Sequence, residues 1–101
     1  MAKGALSVIW TKRSQKQMRQ IFDYISIDSP KNAAKVTDRI TEALDKAILD
    51  HEIYPRDKYR ADNDSTYRAF EIDHYRVSYR AEENVIRVLR VRHTSRKPQL
   101  Y

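Results

Sequence analysis

The apolar residues of this chain recur at two different periods, and the place where one gives way to the other constrains what it can fold into. Met18, Ile21, Phe22 and Ile25 are spaced by threes and fours, with Lys16, Arg19, Gln20 and Asp23 between them. That is one face of a helix, and it needs a surface to cover it. Beyond Tyr67 the period falls to two: in "YRVSYRA" the residues Tyr75, Val77 and Tyr79 alternate with Arg76, Ser78 and Arg80. Neighbouring side chains of a strand point to opposite faces, so this is a strand of an amphipathic sheet whose apolar face lies under the helices. A helical first half and a stranded second half predict an α+β fold.

The remaining elements fall around these two. "LSVIW", residues 6–10, alternates Leu6, Val8 and Trp10 with Ser7 and Ile9 and predicts a short strand. A first helix runs from about Thr11 to Asp28, and "DSPKN" breaks it. Pro30 disfavours helix at Ser29 yet suits the first turn of a second helix that Ser29 can cap. The inner face of that helix is Ala33, Val36, Thr37, Ile40, Leu44, Ala47 and Ile48. So short a connection makes the two helices a roughly antiparallel hairpin.

Residues 51–66, "HEIYPRDKYRADNDST", have no period and many turn formers. A loop of this length is either mobile or lines a functional surface. Three strands follow, at 67–73, 75–81 and 84–93, with connections short enough for an antiparallel meander. In the last one Ile86 and Val88 lie on one parity and Leu89 and Val91 on the other. Either a bulge or a central strand covered on both sides accounts for that.

With 101 residues, 41% of them hydrophobic, the chain builds one domain, residues 1–101; a single glycine and three prolines leave no room for a linker. The absence of cysteine excludes disulfides, thiolate nucleophiles and cysteine-type zinc sites. His51, His74 and His93 have no ligand spacing, and the only glycine, Gly4, makes no phosphate loop, so neither metal nor cofactor is expected. "MAKGALSVIW" lacks the apolar run of a signal peptide, and no stretch is long enough for a membrane span. A cytoplasmic protein is expected.

The net charge is +6, and it is uneven. Residues 1–66 carry 12 Lys and Arg against 10 Asp and Glu, whereas residues 67–101 carry 8 against 4. Anionic partners are therefore expected at the last third. Arg76, Arg80, Arg87, Arg90, Arg92 and Arg96, with Lys97, form the core of that charge. Each guanidinium is a fixed fork of donors matched to phosphate or carboxylate, and strands hold such forks in place. His93 lies among these cations, which disfavour its protonated form, and so is a candidate neutral base, with Tyr101 as a possible partner in proton transfer. Structural alternatives stand beside each assignment: a solvated, charged sheet face for the arginines, and a ring that merely hydrogen-bonds the strand end for His93.

The order strand, two helices, long loop and three-strand meander, together with "YRAFEIDHYRVSYRA", "IRVLRVRHTSR" and "SPKNAAK", resembles the RelE/ParE superfamily of toxins from bacterial type II toxin–antitoxin modules. The resemblance spans nearly the whole chain. It implies a strand and a helical hairpin packed on a mainly antiparallel sheet, and one of two activities. RelE-like members cut mRNA in the ribosomal A site; ParE-like members poison DNA gyrase.

For an mRNA endonuclease the resemblance implies Arg76 and Arg96 as phosphate clamps, with Arg68, Arg80 and Arg92 as further phosphate- or antitoxin-binding groups. His93, Tyr101 and, more weakly, Asp57 would be the acid and base that activate a ribose 2′-hydroxyl. Phe70 and Glu71, however, stand where a RelE-type nuclease would present another cation, which favours the ParE-like activity. A basic binding module without toxicity is the third possibility. Either toxin implies a cognate antitoxin with an acidic, amphipathic carboxyl-terminal segment, besides DNA gyrase or the ribosome and its message.

Overall fold

The computed structural model describes residues 7–95. Its elements are β1 (Ser7–Trp10), α1 (Lys12–Asp28), α2 (Pro30–Leu49), a 3-10 turn at His51–Ile53, β2 (Tyr67–Ile72), β3 (Tyr75–Ala81) and β4 (Val85–His93). Arg96, Lys97 and Tyr101, among the sequence candidates, lie outside the described residues.

Caps set the helix boundaries. The Thr11 hydroxyl accepts from the Ser14 N–H at the start of α1, and the Ser29 hydroxyl accepts from the Asn32 N–H at the start of α2. The Ser29 N–H also donates to the Ile25 carbonyl. One residue therefore closes the first helix and opens the second, and Pro30 takes the first helical position, where its missing N–H costs nothing.

The four strands form one sheet in the order β1-β4-β3-β2. The meander is antiparallel, while β1 lies parallel to β4, with Val8 beside Ile86 and Trp10 beside Val88. The hairpin covers one face of the sheet. Val36, Ile40, Ala43, Leu44 and Ala47 of α2 pack with Phe70, Tyr75, Val77, Tyr79, Ile86, Val88 and Val91 in one core. In α1 the expected stripe is only half sunk: Met18, Ile21 and Ile25 pack against the core, but Phe22 is 37% exposed.

The phase change in β4 is a bulge. Ser78 pairs with Arg90 and Tyr79 with Val88, which leaves Leu89 as an extra residue and turns Val88 and Val91 to the same core side. The carbonyls at this kink meet the start of α1: the Thr11 N–H donates to Val88 O and its hydroxyl to Leu89 O. Further along, the Val91 N–H donates to Gln17 Oε1 at 2.8 Å.

Candidate functional site

Strand parity divides the sequence candidates between two faces. Phe70, Val77 and Val91 share rungs on the side covered by the hairpin, as do Arg68 with Tyr79 and Tyr75 with His93. The open face carries Arg76 opposite Arg92, Ser78 opposite Arg90, and Arg80 opposite Arg87. On it too are Glu71, beside Arg76, and Tyr67, beside Arg80.

The long loop wraps the β2 edge of the sheet. On the covered side the Tyr54 ring lies 4.7 Å from that of Phe70, and its hydroxyl donates to the Ala43 carbonyl. At the edge the Ala69 N–H donates to Pro55 O, the Asp57 N–H donates to Tyr67 O, and Arg56 bridges to Arg68. On the open side the loop delivers Asp57, Tyr59 and Arg60. Asn63 fastens the far end: its amide donates to the Asp57 and Tyr67 carbonyls, and its oxygen accepts from the Ser65 and Tyr67 N–H groups. Of the two possibilities for this loop, the structure shows it bonded along its length.

That wrapping changes what two arginines have available. Arg76 is 8% exposed; its guanidinium donates to Asp57 Oδ1 at 2.8 Å and to Glu71 Oε2 at 3.1 Å. Burial disfavours the cation, but the hydrogen bonds and charges of Asp57 and then Glu71 outweigh it, so its pKa lies above the ordinary arginine value. Asp57 is 2% exposed. Arg68 is buried near the opposite face and donates to the Ser65 and Tyr54 carbonyls, with Glu52 at 3.9 Å. Two of the candidate arginines are therefore not exposed: Arg76 is capped by the loop, and Arg68 helps to hold it.

The other open-face arginines are half-buried. Arg80 donates to the Thr66 hydroxyl and lies 3.9 Å from Asp64. Arg87 makes two hydrogen bonds to the Glu82 carboxylate, which hold that carboxyl below its ordinary pKa. Tyrosines interleave with these cations. Arg60 lies 3.8 Å and Arg80 4.9 Å from the Tyr67 ring centre, while Arg76, Arg92 and Lys58 lie 4.8, 5.5 and 5.3 Å from that of Tyr59. Sequence inspection missed Tyr59, Tyr67 and Arg60; the clustering of Tyr and Arg in the loop was the available signal.

His93 is separate from all of this. Its ring meets Tyr75 edge-on at 5.2 Å and lies 6.2 Å from His74, and Nδ1 accepts from the Ser95 N–H at 3.0 Å. It faces a groove of about 770 Å³ between α1 and the end of β4, with Gln20, Tyr24 and Tyr75 also in its lining. The described residues thus bring Asp57 and Arg76 together and place His93 across the sheet from them. Among the described residues no three His, Cys, Asp or Glu side chains cluster as metal ligands, and no helix is long and apolar enough to cross a membrane.

The family model for the ParE toxin of type II toxin–antitoxin systems, parDE, matches residues 8–98. A solved structure described as the chromosomal ParDE TA system from P. aeruginosa superposes with a TM-score of 0.67 at 18% identity, covering 89% of this chain and 97% of that one. At that identity the likeness concerns the fold. No curated protein matches the chain.

Proposed function

This chain belongs to the ParE toxin family of type II toxin–antitoxin systems, and from that premise we propose that it inhibits growth by binding and poisoning DNA gyrase, with no chemistry of its own. One observation carries this choice over mRNA cleavage: among the described residues, the acid–base candidate His93 and the phosphate clamp Arg76 do not converge. His93 lies on the covered side of the sheet and Arg76 on the open side, where Glu71 accepts from its Nη1 and Asp57 from its Nη2. A general base must come within hydrogen-bond reach of the proton it removes, beside the group that stabilises the resulting charge.

Under this proposal the gyrase contact lies on the helical hairpin, where Tyr24 and Ile27 stand 73% and 80% exposed at the end of α1. The cell holds the toxin inactive with a cognate antitoxin, whose acidic, amphipathic carboxyl-terminal segment lays apolar side chains on the hairpin and carboxylates on the arginine face. Charge attraction would speed that association, and buried apolar area would slow release. The place of action is the cytoplasm.

The test adds purified protein separately to a gyrase supercoiling assay and to ribosomes translating a defined message. Loss of supercoiling or a trapped gyrase cleavage product, with the message intact, is expected. Codon-phased cuts in the message would overturn the choice, and normal growth of bacteria expressing the chain alone would overturn toxicity itself.

A further inference from the structure

β1 has four residues and β4 nine, and the two pair only from Val85 to Val88 of β4. Beyond Val88, among the described residues, no strand lies beside that edge of β4. Helix α1 takes part of the place, since the Val91 N–H donates to Gln17 Oε1, and the rest of it is the groove of about 770 Å³. Ile21 and Tyr24 enter its lining from α1, Tyr75 from β3 and His93 from β4. Tyr75 is buried, whereas Tyr24 is 73% exposed, so one ring on the groove is covered by the protein and the other is not. Burial raises the Tyr75 pKa and the nearby Tyr24 phenol adds to it, which puts the two rings within electrostatic reach of each other.

The chain leaves β4 at the rim of this groove. The Thr94 N–H donates to the His74 carbonyl and the Ser95 N–H to His93 Nδ1, so the strand ends in a turn and Ser95 joins the lining. A neutral imidazole that accepts at Nδ1 carries its proton on Nε2, where it is a donor suited to a backbone carbonyl. Gln20 adds an amide that can both donate and accept. Among the described residues the lining holds no Asp or Glu. Aromatic and aliphatic surface with a few neutral polar groups suits an extended segment with apolar side chains, and it does not suit a cation.

We propose that residues 96–101 of the same chain, "RKPQLY", turn back into this groove and seat Leu100 and Tyr101 against Ile21, Tyr24 and Tyr75. The segment begins where the groove begins, because Ser95 already lines it. Its reach is sufficient: the α1 side from Gln17 to Tyr24 is about 10 Å long at the helical rise, and an extended chain from Ser95 to Leu100 covers about 17 Å. Pro98 disfavours helix at Lys97, and the two cations precede the apolar pair, so Arg96 and Lys97 stay at the solvated rim. The tether gives the segment an effective concentration on the order of millimolar, an advantage that no free segment of like chemistry has. Once seated it covers the Tyr24 ring, and a partner that binds through Tyr24 has to displace it. The inference uses the groove and not the gyrase reading, so either can fail without the other.

The test is nitrogen-15 relaxation on the full chain, since backbone order parameters are about 0.85 for a seated segment and below about 0.6 for a free one. Residues 99–101 are expected near the higher value. Leu100→Ser and, from the other side of the contact, Tyr24→Ser should each bring them below about 0.6, while Leu100→Met keeps them high. Tyr24 is largely exposed, so its replacement leaves the fold intact, which unshifted amides in β2 and β3 verify. Lys35→Gln, on the outer side of α2, should change nothing. The chain has no cysteine, so a nitroxide on Gln99→Cys is a single label, and it should broaden the amides from Gln20 to Tyr24 within its own molecule. Mixing labelled chain with isotope-enriched unlabelled chain detects a second copy in the groove. The proposal is overturned by order parameters below about 0.6 in the parent, by a rigid segment indifferent to Tyr24→Ser, or by broadening that passes between molecules.

Discussion

The Asp57 carboxylate and the Arg76 guanidinium meet at 2.8 Å inside the protein, one from the loop and the other from a central strand. This contact fixes the loop to the open face of the sheet. Such a pair gains little over an apolar replacement, but losing one partner strands the other charge in a medium that solvates it poorly.

Asp57→Ala should accordingly destabilise the fold by about 3–5 kcal/mol in urea unfolding. Glu71 holds the same guanidinium with a side chain 54% exposed, so Glu71→Ala should cost less than about 1 kcal/mol. An equal or reversed ranking would show that the buried pair does not anchor the loop.

Alkaline pH should unfold the protein through Tyr79. Burial raises its phenol pKa well above the ordinary tyrosine value, and its hydroxyl donates to the His51 carbonyl. The folded state keeps the proton that the unfolded state gives up, so this stability is complete below about pH 10 and is lost as pH rises further. Tyr79→Phe should cost about 1 kcal/mol at neutral pH and flatten the alkaline loss. Melting temperatures from pH 8 to 11 measure it, and an unchanged alkaline limb in the variant would refute it.

Gln17 supplies a side-chain acceptor to a backbone N–H of β4 just past the bulge. Gln17→Ala should cost about 1–2 kcal/mol and raise the amide exchange rate at Val91, whereas Gln17→Glu, which keeps the acceptor, should protect that amide. Equal exchange in the two variants would mean that the contact carries no stability.

Ile27 stands almost free on α1, so Ile27→Lys should leave the melting temperature within about 1 °C of the parent. If the antitoxin covers the hairpin, the same change should weaken its binding about tenfold or more, mainly through faster dissociation. Added salt should slow association and leave dissociation nearly unchanged. Surface plasmon resonance separates the two rates, and an unaltered dissociation rate for the variant would place the contact elsewhere.

Periodicity made the elements legible almost to the residue. The break at Ser29, the strand from Tyr75 to Ala81 and the phase slip near Leu89 all follow from local chemistry: a cap, an alternation and its interruption. Strand order was not legible in the same way, because nothing local tells β1 to lie parallel to β4. The site was legible in its residue types but not in its availability. Parity places Arg76 on the open face, yet the residue that caps it is nineteen positions away in a segment without a period. Glu71 stands where a RelE-type nuclease would present another cation, and in the structure it is the second acceptor of the Arg76 fork.

The loop that wraps β2 has one more consequence, for how copies of the chain can associate. An open sheet has two edges, and endless strand-by-strand growth needs both. Here Pro55 and Asp57 already bond to the β2 edge, so among the described residues only β1 borders the sheet without such a cover. Two copies joined through β1 would form a closed pair with no strand left to recruit a third. A stop to fibre growth is thus built into the same segment that neutralises Arg76.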